Sequence, residues 1–213
     1  MNYLRITDIK TPPFAYVANR EQAMHTCSTC SMPYPDLRER LKVEIFTTEV
    51  SNWEREIKGQ PLMAEHWMIG DAQLVQSLRQ HLGDSFITQE VEVVSWLSRS
   101  PRALNAKQGV VDTHHVPKFF AVFPKYTLPV DQELSDKYPP IRCNECVRDI
   151  PDIPFDVALI PGLATENPML ASLADLHYEG YDYLVREDCA ISLIDAYPNM
   201  ILEKLESGEP SLF

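Results

Sequence analysis

The chain has 213 residues, 45% of them apolar and 23% charged, which is enough to bury a core as one domain or two small ones and excludes disorder as the default. Its net charge of −12, from 19 basic and 31 acidic residues, repels nucleic-acid phosphates and anionic lipid and attracts basic partners. No apolar run approaches the roughly 20 residues of a membrane helix, and Met1 to Asp8 lacks the basic start and apolar stretch of a secretion signal. The sequence therefore predicts a cytoplasmic protein with reduced cysteines, no membrane partner and no nucleic-acid partner.

In chain order, the loose alternation of Tyr3, Arg5 and Thr7 against Leu4, Ile6 and Asp8 predicts an edge or half-buried strand, ended by Thr11-Pro12-Pro13. A cysteine knuckle, Cys27-Ser28-Thr29-Cys30, is followed by a Pro33/Pro35 turn and then by Leu41 to Thr47, whose alternation marks a strand with one wet face. Asp71 is a good N-cap, Leu74, Val75, Leu78 and Leu82 repeat at helical spacing, and Gly83 is placed to stop the helix. Ile87 to Trp96 and Phe119 to Val130 read as strands. Pro124 and Pro129 break the second and direct it to a sheet edge or bulge. Between them, Ser98 to Val116 has no period and reads as a surface loop.

A second knuckle, Cys143-Asn144-Glu145-Cys146, follows Tyr138-Pro139-Pro140. The tail then predicts short strands at Val157 to Ile160 and Tyr181 to Val185, an amphipathic helix from Arg186 to Tyr197, and a closing strand or helix end at Asn199 to Leu205. Seventeen prolines against seven glycines speak against a glycine-rich phosphate loop, and neither GxGxxG nor GxxxxGK[ST] is present. The expected fold class is α+β, a mixed or antiparallel sheet with few helices and a split four-cysteine zinc-knuckle element. A single domain spans 1–213, with the knuckles at 26–31 and 142–147 brought together.

Two CxxC pairs are the strongest chemical signal. Each puts two thiols on one tight turn, so two turns brought together supply the four sulfurs of a tetrahedral zinc site, with Cys27, Cys30, Cys143 and Cys146 as ligands. The 112 residues between Cys30 and Cys143 are far more than the roughly 15 to 20 of an ordinary zinc ribbon, so the rest of the fold would lie between two halves of one site. Ordinary cysteines and a redox pair are the alternatives, although Met32-Pro33-Tyr34-Pro35 after Cys30 argues against the helix that a redox CxxC opens. Four thiolates leave no open position, so such a zinc would be structural. His25 is a substitute ligand, His114 and His115 read as loop residues, His66 and His81 as boundary side chains, and Cys189 as a small core residue. No serine or cysteine nucleophile stands in a recognisable setting, so no catalytic residue is assigned and the chain is not expected to be an enzyme.

The negative charge is concentrated: residues 151–213 carry 12 acidic and 2 basic side chains. Glu166, Asp175, Glu179, Asp182, Glu187 and Asp188 are the candidate partner-binding residues, and Asp195 lies on the same segment. Tyr178, Tyr181, Tyr183 and Tyr197 are candidate aromatic anchors, some of them needed by the core if Tyr181 to Val185 is a strand. A solvated face that keeps the chain soluble is the alternative.

The order of elements, an N-terminal strand, a CxxC, a mixed middle with the aromatic strand, a second CxxC, then Tyr181 to Arg186 and a terminal helix and strand, resembles the double-CXXCG motif family of bacterial toxin-immunity proteins. Ser31 and Val147 stand where a glycine follows each CxxC in that family. The resemblance implies zinc on the four cysteines, no catalytic residues, and a cognate toxin or effector, electrostatically a basic one, as partner. The function expected is thus an immunity protein that binds a toxin domain and blocks its active site. A zinc-ribbon adaptor or transcription-associated protein is the alternative, weakened by the few basic residues near the knuckles, Arg38, Arg40, Lys42, Arg142 and Arg148.

Overall fold

The computed structural model describes residues 3–9, 14–30, 33–35, 39–47, 53–64, 67–98, 117–129, 132–139, 141–146, 149–150, 168–173 and 183–204. Six strands close into a barrel: β2 (Phe14–Val17), β5 (Lys42–Thr47), β8 (Phe86–Ser98), β9 (Phe119–Pro124), β7 (Trp67–Asp71) and β6 (Leu62–Ala64), in that order. The β5/β8 and β2/β6 pairs are parallel, and the other four are antiparallel. Every second residue points inward, as a strand's period of two requires. Ala15 and Val17, Val43 and Ile45, Leu62 and Ala64, Trp67 and Ile69, and Phe119, Ala121 and Phe123 fill the interior together with Ile57 and Val91. Three alanines opposite Trp67 and two phenylalanines give the small-against-large packing that a narrow barrel needs.

A second, five-stranded sheet has the order β10 (Tyr126–Leu128), β13 (Leu170–Leu173), β14 (Tyr183–Arg186), β1 (Tyr3–Ile9) and β15 (Met200–Lys204). It is antiparallel except for the β10/β13 pair. The outward face of the barrel, through Met68 and Val122, packs with Ile6, Leu170, Tyr183, Val185 and Met200 of this sheet. Helix α3 (Ala72–Leu82) adds Leu74, Leu78 and Leu82 to that layer, and a C-terminal helix, Glu187–Ala196, adds Cys189, Ala190 and Leu193. This explains why all five residues of β7 are buried: one face lines the barrel and the other meets the second core.

One side chain links the two sheets with hydrogen bonds. The Tyr183 hydroxyl accepts from the Met68 amide at 2.8 Å and donates to the Val122 carbonyl at 2.7 Å, on residues that are themselves cross-strand partners in β7 and β9. Asp71 does the same work for α3. Its carboxylate caps the helix by accepting from the Leu74 amide and also accepts from the Gly59 amide, while Gly83, at φ 56°, ends the helix with its amide on the Arg79 carbonyl. Strand β7 turns directly into α3 at Gly70, where a Cβ would stand 2.1 Å from a Leu74 methyl.

The remaining described helices are short: α1 (Arg20–Ala23), α2 (Trp53–Glu56) and α4 (Gln132–Lys137), so the C-terminal helix is α5. Two hairpins stand apart from the larger sheets, β3 (Met24–Thr26) with β4 (Pro33–Pro35) and β11 (Ile141–Arg142) with β12 (Asp149–Ile150). The fold is α+β, with mixed sheets, few helices and a four-cysteine element. No helix among the described residues is long and apolar enough to cross a membrane.

Several expectations hold: β1, β5, α3, β8, β14, α5 and β15 lie where the sequence puts them. Of the two readings of β1, the half-buried one holds, with Tyr3, Ile6 and Ile9 buried and Thr7 exposed, and the edge one does not, because β1 pairs with β14 on one side and β15 on the other. One expectation is corrected. The segment Phe119 to Val130 is two strands in different sheets, since Pro124 closes β9 and Lys125 turns the corner to β10. Strand β9 is internal to the barrel, and only β10 lies at an edge. Pro124 is accommodated there because it is the last residue of its strand. The strand expected at Val157 to Ile160 lies outside the described residues, as does the loop expected at Ser98 to Val116 apart from Ser98 itself.

Tyr183→Phe keeps the ring and strands two buried backbone groups, so it is expected to cost about 1–3 kcal/mol, read as a lower denaturant midpoint at unchanged slope. Asp71→Ala removes a cap and the tie to Gly59, and the same measurement is expected to show a loss of about 1–2 kcal/mol.

Candidate metal centre

Each knuckle is the tip of one of the two small hairpins. The first leaves the barrel after β2, passes through α1 and β3, reverses at Cys27-Ser28-Thr29-Cys30 and returns along β4 toward β5. Asn19 closes the base of this excursion: its amide group donates to the Arg40 carbonyl at 3.0 Å and accepts from the Lys42 amide at 2.7 Å. Beside it, the Ala18 amide donates to the Lys42 carbonyl at 2.7 Å. The second knuckle follows β10 and α4, and its tip is Cys143-Asn144-Glu145-Cys146 between β11 and β12. One half of the site is thus an insertion in the barrel, and the other follows the edge strand of the five-stranded sheet.

The four sulfurs meet. Cys27 Sγ lies 3.6 Å from Cys143 Sγ, and Cys30 Sγ lies 3.8 Å from Cys146 Sγ. All four lie within 4.8 Å of one another. A disulfide needs about 2.05 Å, and none joins the cysteines. A tetrahedral four-thiolate site with metal–sulfur bonds of about 2.3 Å has edges of about 3.8 Å, so the cluster could hold a metal ion. Cys27 and Cys143 are buried, and Cys30 and Cys146 are half-buried, which puts the cluster at the edge of the fold with two ligands shielded from water.

The residues between the ligands complete the arrangement. Glu145 Oε2 accepts from the Ser28 hydroxyl at 2.7 Å, from the Thr29 hydroxyl at 2.5 Å and from the Cys27 thiol at 3.6 Å. Those hydroxyls, Thr29 first and Ser28 second, hold the Glu145 carboxyl below the usual carboxylate range. None of these three residues was expected at the site. The signal available in the sequence is that one knuckle carries two hydroxyls between its cysteines and the other carries a carboxylate, a donor set facing an acceptor.

The other candidates sort as follows. Glu187 and Asp188 are exposed in the first turn of α5, where carboxylates suit the helix dipole. Asp188 is gripped by the Arg186 guanidinium at 2.6 and 2.9 Å, which holds its carboxyl below the usual range. Glu166, Asp175, Glu179 and Asp182 lie outside the described residues, as do His66, His114, His115, Tyr178 and Tyr181, and nothing is described of the His25 side chain. Tyr183 and Tyr197 are buried core residues and not surface anchors, because each fills the layer between the two sheets. Cys189 is a core residue in that layer, as expected, and burial pushes its thiol pKa up. His81 is half-buried on α3.

The fold and site together define an α+β chain with a split four-cysteine centre able to hold a metal ion. No family model, curated protein or solved structure matches this chain, so its functional reading rests on its own residues.

Cys143→Ser is expected to lower metal content per chain and to lower Tm by about 4–8 °C, since losing about 2 kcal/mol shifts a chain of this size by about 2–4 °C per kcal/mol. Cys189→Ser, outside the cluster, is expected to leave metal content unchanged in the same elemental analysis.

Proposed function

We propose that the chain is a non-enzymatic immunity protein, one domain acting in the cytoplasm, that binds a cognate toxin or effector domain and blocks its active site, with a structural zinc ion on Cys27, Cys30, Cys143 and Cys146. The meeting of the four thiols within 4.8 Å of one another is the observation that carries this reading. The two CxxC pairs are the core of the resemblance to the double-CXXCG immunity family. Their convergence over 116 positions supports treating them as one motif.

The donor set supports zinc in a structural role. Four soft sulfur ligands at tetrahedral positions suit zinc among the common divalent ions. They also complete the coordination sphere, so no position is left for a water or a substrate. Such an ion would supply folding energy by joining an insertion of the barrel to the segment that follows β10, the edge strand of the five-stranded sheet.

Charge supports the partner class. Ten of the twelve net negative charges lie in residues 151–213. On α5, Glu187, Asp188 and Asp195 accompany Ile191 and Ile194, which are 70% and 42% exposed. Carboxylates around an apolar strip offer both steering and burial to a basic domain. The expected arrangement is a basic toxin, such as a nuclease, seated against this acidic third of the chain.

The test is co-purification with the toxin encoded at the same locus. Wild type is expected to capture the toxin and abolish its activity, with a strong dependence on salt. Reversing Glu166, Asp175, Glu179, Asp182 and Glu187 to lysine is expected to weaken capture by about 10-fold or more, within the range that steering and rim charges command. Capture at wild-type strength by that variant would overturn the assignment of the acidic surface.

A further inference from the structure

We infer that Glu145 is a clasp between the two knuckles that sets their register and sulfur spacing before any metal arrives. The metal site would then be preformed and not assembled by the ion. This rests on the reading of the four thiols as a zinc site and adds to it a positioning residue on the second knuckle with two partners on the first.

The Ser28 hydroxyl, the Thr29 hydroxyl and the Cys27 thiol all donate to one oxygen, Glu145 Oε2. The donors belong to one hairpin and the acceptor to the other, separated by 116 to 118 positions in the chain. A carboxylate gathering donors from its own turn would only shape that turn. This one spans the gap between two turns that have no backbone ladder in common, since β3 pairs with β4 and β11 with β12. Hydrogen bonds to an ionised acceptor are also about twice as strong as neutral ones.

The position of the clasp gives it a specific consequence. Ser28 and Thr29 are the two residues between the first pair of ligands, and Glu145 directly precedes Cys146, so the clasp is threaded among the sulfurs. With Oε2 held over Ser28 and Thr29, Cys27 faces Cys143 at 3.6 Å and Cys30 faces Cys146 at 3.8 Å. Metal sites in small domains ordinarily gain their geometry from the ion, because the ligands are dispersed without it. Here the rigid barrel and sheet bring the hairpins near each other, and Glu145 fixes the last ångströms. The ion would enter a site whose ordering cost is already met, which raises affinity without adding a ligand.

The experiment compares wild type with Glu145→Ala, with Ser28→Ala/Thr29→Ala, and with the triple variant. Zinc ion alone is the probe, titrated against a chromogenic chelator, and amide hydrogen exchange is read separately on the metal-stripped chains. Loss of outer partners of metal ligands typically weakens binding about 10- to 100-fold, so Glu145→Ala is expected to weaken zinc binding about 10-fold or more, with the stoichiometry unchanged. The hydroxyl pair variant is expected to match it, and the triple variant to fall within about 3-fold of either, because all three remove one interaction. In the metal-stripped chains, exchange at Cys27–Cys30 and Cys143–Cys146 is expected to rise about 10-fold in each variant while α3 is unchanged.

Unchanged zinc affinity together with unchanged exchange would overturn the clasp, and so would additive losses in the triple variant. If wild type binds no zinc but the stripped variants still lose protection, the clasp stands and the zinc reading falls. Should Glu145→Ala not fold, the hydroxyl pair variant, altered only at two exposed turn positions, carries the test.

Discussion

Four sulfurs from two turns 116 positions apart come within 4.8 Å of one another, and the architecture between the turns is what brings them there. Closing so long a loop costs roughly 5 kcal/mol of chain entropy in a flexible polymer. Two hydrogen-bonded sheets take up that cost between the knuckles. The barrel fixes where the first hairpin leaves, with Asn19 pinning its base. The five-stranded sheet fixes the segment that leads to the second. The Tyr183 hydroxyl, bonded to both β7 and β9, ties the one sheet to the other inside a continuous apolar layer. The sulfurs converge because the frames that carry them are locked together.

The elements legible in the sequence were those whose periodicity is set locally. Helix α3 has a cap, a stop and three leucines on one face, and β5 alternates Val43 and Ile45 against Lys42 and Glu44. The barrel was not legible. Its strand β7 is buried on both faces, so Trp67-Met68-Ile69 carries no alternation, and β2 and β6 are too short to show a period. Helix α4 was missed for the opposite reason, since none of its residues is buried and it has no apolar stripe. The aromatic segment from Phe119 was read as one strand because nothing local says that Phe119–Pro124 and Tyr126–Leu128 join different sheets.

The same division runs through the site. The four cysteines were legible because ligand chemistry demands paired thiols on tight turns, and CxxC is the shortest way to provide them. Glu145 was not, because its partners lie on the other hairpin and only the tertiary fold makes them neighbours. Of the four tail tyrosines, Tyr183 and Tyr197 are core residues, as the strand at Tyr183–Arg186 requires for the first, since each fills the space between two sheets. Among the described residues of the tail, the exposed large apolar side chains are Ile191 and Ile194, on a helix that carries three carboxylates and no basic residue. The thiol cluster and the acidic helix face lie on separate elements, and the proposed immunity function assigns a structural zinc to the one and a basic partner to the other.

The central claim is that the two knuckles form one structural zinc centre. X-ray absorption at the zinc edge, on protein purified without added metal, tests it most directly. The account predicts one zinc per chain with a single shell of four sulfurs at about 2.3 Å. Oxygen or nitrogen ligands in that shell, or protein that carries no zinc, would contradict it.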